Sequence, residues 1–483
     1  MYQDRPQRNL SMLMDFYELT MANGYLTSGI QNQVAVFDMF FRRVPDRGGF
    51  AIFAGLEQLV EYLQNLHFTA EDIAFLRAKK LFDERFLSFL QTFEFCCDLW
   101  AFREGSPMFA NEPIVVARGP IMQLQMIETM LLLTINHQSL IATKANRIVR
   151  AALGRTVMEF GSRRAHGYDA AIYGARAAYI GGCQSTACTM LEKEYGVPIA
   201  GTMAHSWVQM FDSEYQAFKV YAETYPNACT LLVDTYSALQ TGVSNAIRVF
   251  DEVLAPRGFR PVGIRIDSGD LAYLSKRARG MLDAAGYADC KIIASNALDE
   301  YIIRDLLIQN APIDSFGVGE KLITSKSDPV MGGVYKLAAV QRDGEYIPKI
   351  KVSESLEKIT TPGFKTVYRF FDAVSDKAIA DYIACRDERL VPGEPIVLFD
   401  PNAIWKKQTV SNYNAEQLLQ PVFQKGKLVA ELPTLQEIQR YSAQQIDRLW
   451  EEVKRLENPH RYYVDLSQKL WQMKQDLLLQ MNS

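Results

Sequence analysis

The chain has 483 residues, 48% hydrophobic and 22% charged, with Lys plus Arg at 52 against Asp plus Glu at 56. The formal net charge of -4 excludes the strongly basic balance of a dedicated nucleic-acid binder, and the apolar content excludes a wholly disordered chain. A typical domain of about 150 residues makes the length suggest about three structural units.

In chain order, Met1 to Phe16 mix charge with polarity and carry no apolar signal core. Residues 1–145 then alternate short strand-like runs, such as 34–40 and 113–117, with helical ones. A long helix is expected from about Ile121 to Ala152, where apolar and small residues recur at helical spacing without a proline. Its densest apolar run, Met130 to Leu133, is far short of a membrane span.

From Thr156 onward the texture becomes regular. Strands are expected at 156–159, 198–201, 230–233, 263–266, 292–294 and 314–317. Helices are expected at 169–178, 186–195, 213–224, 243–254, 271–285 and 300–309. This alternation predicts consecutive βα units on a parallel sheet, open or closed into a barrel.

After Gly333, the runs 334–340 and 345–352 flank Arg342-Asp343-Gly344, a hairpin turn. Further short strands reach about Phe399, and their return to the N-terminal region would make that domain discontinuous. The division is therefore 1–145 with 334–400 as an α+β domain, 146–333 as a βα catalytic domain, and 401–483 as a mainly helical extension. In the last, Thr434 and Glu437 form a capping-box pattern ahead of an apolar stripe, Asn458-Pro459 breaks the helix, and a final helix spans about Leu466 to Met481.

The seven cysteines are Cys96, Cys97, Cys183, Cys188, Cys229, Cys290 and Cys385. Their odd number and the lack of a zinc-knuckle or CxxC spacing predict reduced thiols, with Cys183 and Cys188 in the core. A soluble cytoplasmic protein with no membrane or nucleic-acid partner is the expectation.

Polar residues follow almost every predicted strand of the βα region. They are Phe160-Gly161-Ser162-Arg163-Arg164, Thr202-Met203-Ala204-His205-Ser206, Asp234-Thr235-Tyr236, Asp267-Ser268-Gly269-Asp270, Ser295-Asn296 and Gly317-Val318-Gly319-Glu320-Lys321. Taken singly, each has a bland reading: Asp270 is a helix N-cap, a lone histidine is structural, and one Gly-x-Gly is a turn. Together they sit where carboxyl ends of parallel strands converge on a site. A turn such as 317–321 can hold a phosphate through backbone N–H groups. Ser295, Asn296 and Asp267 suit sugar hydroxyls, Phe160 suits a flat ring, and Arg163, Arg164 and Arg265 suit carboxylate or phosphate. Residues 141–166 add Lys144, Arg147, Arg150 and Arg155 to Arg163 and Arg164 against Glu159 alone, a net +5 that suits an anionic ligand. The composite is a phosphosugar enzyme of the βα kind.

These residues resemble the nicotinate phosphoribosyltransferase family. The resemblance rests on Asp15-Phe16-Tyr17-Glu18-Leu19-Thr20-Met21, Glu159 to Arg164, Gly201 to Ser206, Ile264 to Asp270, Phe316 to Gly319 and Gly332 to Leu337, spread over roughly residues 10 to 370. It implies an irregular βα barrel of the type II phosphoribosyltransferase kind and a homodimer with shared active sites. It also implies a reaction for NAD salvage: nicotinate and phosphoribosyl pyrophosphate give nicotinate mononucleotide and pyrophosphate. ATP is the coupled co-substrate through a phosphohistidine, placed at His205. Magnesium would be held with the substrate phosphates near Asp234 and Asp267, and no structural zinc is expected.

The same resemblance assigns the other roles. Phe160 and a partner-chain Tyr17 clamp the pyridine ring, Arg265 meets its carboxylate, and Thr202 lines the pocket. Asp234 and Asp267 lie near ribose, magnesium and His205. Ser295 and Asn296 face the ribose or its phosphate, and Gly319, Glu320, Lys321 and Thr324 hold the 5-phosphate. Arg163 meets the phosphates, joined by Arg42 from the partner chain. Nicotinamide-using relatives carry an acid in the pocket wall, whereas the matching stretch here, Gly182 to Thr186 around Gln184, has none. Nicotinamide phosphoribosyltransferase and a non-catalytic ligand sensor of the same fold are the alternatives.

Overall fold

The computed structural model describes residues 8–355, 358–391, 393–401 and 403–480. It divides into two compact units, Met1–Leu140 with Val330–Ser483, and Ile141–Pro329. The boundary falls inside the helix Glu128–Ala151.

The central unit is a parallel sheet in the order Ser185–Thr186, Thr156–Glu159, Ser315–Val318, Lys291–Ser295, Gly263–Ile266 and Thr230–Leu232. Each neighbouring pair is parallel, which the intervening helices permit and a tight turn would not. The strands are short apolar runs because both faces are covered, and Val157, Leu231, Ile264, Ile292 and Phe316 are all fully buried. Packing in the middle of these strands leaves their carboxyl ends as the place where polar side chains can gather.

The expected strand at 198–201 is a single bridge from Ile199 to Thr186. Ser185–Thr186 takes the sheet position, and the helix expected from 186 begins at Thr189. The bond from Gln184 N–H to Val157 O fixes that entry. The helix expected at 243–254 is longer, with wide π turns at Ala238–Gly242 and Phe250–Leu254 around Val243–Val249. Asp270 accepts from Tyr273 N–H at 3.0 Å, the N-cap its sequence position suggested.

The other unit is built on a seven-stranded sheet. Val34–Phe41 pairs antiparallel with Val115–Pro120 on one side and Gly333–Arg342 on the other. The late hairpin Gly333–Arg342 and Glu345–Pro348 therefore completes the N-terminal sheet. A second sheet orders Tyr413–Gln417, Lys365–Asp372, Ala378–Cys385 and Val464–Leu466. The long helix expected from Ile121 is two helices, Ile121–Gln125 and Glu128–Ala151. Gln125 Nε2 donates to Glu128 Oε2 at 2.8 Å across the break.

The mainly helical reading of 401–483 needs correction over its first third. Ala403–Val410, Tyr413–Gln417, Gln420–Gln424 and Lys427–Leu428 are strands. Ala403–Val410 is exposed along most of its length, so backbone pairing rather than an apolar alternation holds it, and the sequence carries no clear period. Helix begins at Leu435, after the capping box of Thr434 and Glu437. The last helix is Gln468–Gln480, and Met481 lies outside the described residues. Among the described residues no helix is long and apolar enough to cross a membrane.

Candidate active site

Arg265 organises the carboxyl rim of the central sheet. It sits in the strand Gly263–Ile266, and its guanidinium fork reaches the end of its own strand, the end of the neighbouring Lys291–Ser295, and Thr202 beyond the Ile199 bridge. Nε donates to Ser295 Oγ at 2.8 Å, Nη2 to Asp267 Oδ1 at 3.0 Å and Nη1 to Thr202 Oγ1 at 3.3 Å. Ser295 Oγ itself donates to Asp267 Oδ1. The side chain is 16% exposed, so it is held by partners on one side and open on the other.

Phe160 lies beside this cation, with the Arg265 Cζ 5.7 Å from its ring centre. The ring rests against Gly317 of the adjacent strand. A Cβ on Gly317 would lie 2.5 Å from Phe160 Cδ2, so only glycine leaves the ring where it is. The turn below is held by Glu159, fully buried at the end of its own strand. Thr186 Oγ1 donates to it at 2.7 Å, and Gly161 N–H donates to its other oxygen. Burial pushes the Glu159 carboxyl above its ordinary range, opposed by these two bonds.

The acids form a second tier. Asp267 N–H donates to Asp234 Oδ2 at 2.9 Å, and Ser268 Oγ donates to the same oxygen at 2.5 Å. Asp234 Oδ1 is buried and has no hydrogen-bond partner. His205 opens the short helix His205–Gln209, its Nδ1 3.2 Å from Thr235 Oγ1 and its Nε2 3.8 Å from Asp267 Oδ2. Among the described residues no cluster of three or more His, Cys, Asp or Glu side chains could hold a metal alone. The orphaned Asp234 oxygen and the nearby Asp267 carboxylate are hard oxygen donors that fit magnesium shared with a ligand's phosphates.

The glycine turn follows Ser315–Val318, where Gly319 precedes the short helix Glu320–Ile323. Lys321 Nζ is paired with Asp299 at 2.5 Å, and Glu320 with Lys326 at 2.7 Å. Asp299 also accepts from Tyr301 and Ile302 N–H as the cap of Glu300–Ile308. Burial raises its pKa, while the Ile302 bond and Lys321 outweigh burial and leave a net lowering. Thr324 Oγ1 donates back to Glu320 O at 2.8 Å. Asn296 follows its strand at φ 91, a conformation that asparagine tolerates better than most residues, with its side chain exposed.

Phe160, Thr202, His205, Asp234, Arg265, Asp267 and Ser295 thus form one connected group. Arg163 is exposed on the three-residue turn Ser162–Arg164 and makes no ion pair among the described residues, whereas Arg164 lies 3.8 Å from Glu320. Tyr17 and Arg42 belong to the other unit. Tyr17 is 43% exposed near the start of Phe16–Thr27, and burial, then Glu128, raises its phenol pKa. The Arg42 guanidinium is 5.6 Å from the Phe40 ring centre.

Two sequence inferences change. The +5 segment is mostly structural: Lys144 and Arg147 share the buried Glu300, each at 2.9 Å, Arg155 donates to Ile313 O, and Arg150 donates to Asn146. Gln184 is not a free pocket wall, since its Oε1 accepts from Val157 N–H at 2.8 Å. The sequence also gave no role to Glu159 or Asp299. A glutamate at a strand end two residues before a glycine is a usable signal for the first. Asp299 lies 22 positions from Lys321, a separation with no local signature.

A polar rim at the carboxyl ends of parallel strands is where α/β enzymes of this kind place their active sites. The family model described as nicotinate phosphoribosyltransferase (NAPRTase) matches residues 156–374, its N-terminal domain 12–136 and its C-terminal domain 364–474. The chain is 44% identical to the nicotinate phosphoribosyltransferase of Bacillus subtilis over 475 residues, covering 98% of this chain and 96% of the relative. It is 37% identical to one from Mycobacterium tuberculosis, covering 95% and 92%. The crystal structure of human nicotinic acid phosphoribosyltransferase superposes with a TM-score of 0.86 at 29% identity, over 96% of this chain and 99% of that one. The nicotinate-nucleotide pyrophosphorylase of Pyrococcus furiosus shares the fold at a TM-score of 0.71 and 22% identity. The chain belongs to the nicotinate phosphoribosyltransferase family.

Proposed function

We propose that the protein transfers the phosphoribosyl group of phosphoribosyl pyrophosphate to nicotinate, coupled to ATP hydrolysis, as a step of NAD salvage. The observation that carries this is the Arg265 guanidinium, fixed by Ser295, Asp267 and Thr202 beside the Phe160 ring. That pair offers a flat face and a fork-shaped cation together, which suits a pyridine carboxylate.

The pyridine nitrogen attacks the anomeric carbon; the new C–N bond forms as the C–O bond to pyrophosphate breaks. The nitrogen lone pair is already available, so the protein supplies position and charge rather than a strong base. Positive charge develops on the ribose, and the Asp267 carboxylate is the acid assigned to it, as in glycoside chemistry. Ser295 and Asn296 are assigned to the ribose or its phosphate, and the backbone of Gly319 to Thr324 to the 5-phosphate. Magnesium bound through the substrate phosphates would neutralise leaving-group charge, with Asp234 and Asp267 as its protein oxygens. Arg163, and Tyr17 and Arg42 of a second copy of the chain, complete the site in a homodimer.

For the ATP-coupled step, His205 Nε2 attacks the γ-phosphorus, a P–N bond forms, and ADP leaves. The contact of Nδ1 with Thr235 supports Nε2 as the nucleophile. The added phosphoryl oxygens would give magnesium further ligands, through which the metal would hold the pyrophosphate group. Incubation with γ-labelled ATP and magnesium tests this: acid-labile label should map to His205 and disappear in His205→Ala. ATP stimulation with no labelled histidine would overturn the phosphohistidine route.

A further inference from the structure

The unit built on the seven-stranded sheet contains a cavity of about 1040 Å³ that none of the residues assigned above lines. A volume of this size fits a mononucleotide with its water. Among the described residues, the cavity walls carry a single acid, Asp38. That acid is used within the protein, paired with Lys365 at 2.6 Å. Lys365 also donates to the carbonyls of Thr361, Pro362 and Gly363. Arg47, Arg461 and Lys474 remain as further wall cations.

Lys474 is the most informative of these. It lies on Gln468–Gln480, where Trp471, Lys474, Gln475 and Leu478 all face the cavity at helical spacing. Its ammonium makes no hydrogen bond or ion pair among the described residues. Burial, and then nearby Lys365, lowers its pKa. An amine partly removed from water beside another cation is unfavourable until an anion arrives. Arg47, another wall residue, and its neighbour Asp46 hold φ of 52 and 53, left-handed backbone that is uncommon for non-glycine residues. The apolar wall offers Trp471, whose Nε1 is satisfied by Pro401 O, and Phe109, which stacks on Tyr462 at 3.8 Å.

We propose that this cavity binds a nucleoside monophosphate, with the phosphate held by Lys474, Arg47 and Arg461 and the base against Trp471 and Phe109. Nothing in this assignment depends on the catalytic reading. Calorimetric titration of the full-length protein with AMP, adenosine and inorganic phosphate tests it. AMP should bind saturably, and both adenosine and inorganic phosphate more weakly by about tenfold or more. Lys474→Met should lose AMP affinity about tenfold or more while melting at or above the wild-type temperature, because it removes a half-buried cation that has no partner among the described residues. Arg265→Gln should leave AMP affinity unchanged. The proposal is overturned if AMP does not bind saturably, if Lys474→Met binds it like wild type, or if Arg265→Gln abolishes binding. Inorganic phosphate binding as tightly as AMP would overturn the nucleoside assignment.

Discussion

The Arg265 guanidinium stands 5.7 Å from the centre of the Phe160 ring while it donates to the Asp267 carboxylate at 3.0 Å. One cation thus ties the surface for a flat ring to the acid assigned to the sugar. Arg265 and Asp267 sit at the end of one strand, Gly263–Ile266, and Phe160 just beyond another, Thr156–Glu159, so their mutual position depends on the parallel sheet register.

Arg265→Gln should therefore damage base recognition more than folding. Losing a charge-assisted contact costs about 1.5–3 kcal/mol, so kcat/KM for nicotinate should fall about 10- to 100-fold. Steady-state rates with varied nicotinate, beside a thermal melt, check this; an unchanged KM would contradict the role given to the guanidinium.

Gly317→Ala tests the floor under Phe160. The new Cβ would meet Phe160 Cδ2 at 2.5 Å, so the ring must move. The strand should persist, since alanine fits its backbone, while the KM for nicotinate rises. Kinetics with nicotinate, set against the dependence on phosphoribosyl pyrophosphate, would show whether the loss is confined to the base.

The unpartnered oxygen of Asp234 predicts a metal phenotype. Asp234→Asn removes its charge, and the magnesium concentration for half-maximal rate should rise about tenfold or more. A magnesium titration at fixed phosphoribosyl pyrophosphate measures this, and an unshifted curve would remove Asp234 from the metal's surroundings.

Glu18 predicts a pH dependence of stability. It is buried, accepts from Thr129 N–H at 3.0 Å, and leaves Oε2 without a partner. Burial, opposed by the Thr129 bonds, pushes its carboxyl from the ordinary 4.5 to about 7. The folded state then binds more protons than the unfolded one between those values, so this contribution fades as pH rises through that window. Glu18→Gln should flatten the difference between melting temperatures at about pH 5 and about pH 8. Equal pH dependence in both proteins would show that Glu18 does not titrate there.

The parallel unit was legible because its strands are short apolar runs bounded by glycine and acids, as at Gly263–Ile266 followed by Asp267. The rim followed from the same pattern, because parallel strands share one carboxyl face. Supports across long sequence gaps were not legible: Asp299 reaches Lys321, and Glu300 uses two cations that looked available for ligand. The strands after residue 402 were missed because most of Ala403–Val410 faces solvent and shows no two-residue period. Gln184 looked like a pocket residue by position, but its carboxamide oxygen serves Val157.

Selective nicotinate transfer is tested most directly by one product assay. Purified protein, magnesium and phosphoribosyl pyrophosphate are incubated with nicotinate or nicotinamide, with and without ATP, and the mononucleotides are quantified by mass spectrometry. Nicotinate mononucleotide is the expected main product, with more formed when ATP is present. Nicotinamide mononucleotide as the main product, or no product from either base, would contradict it.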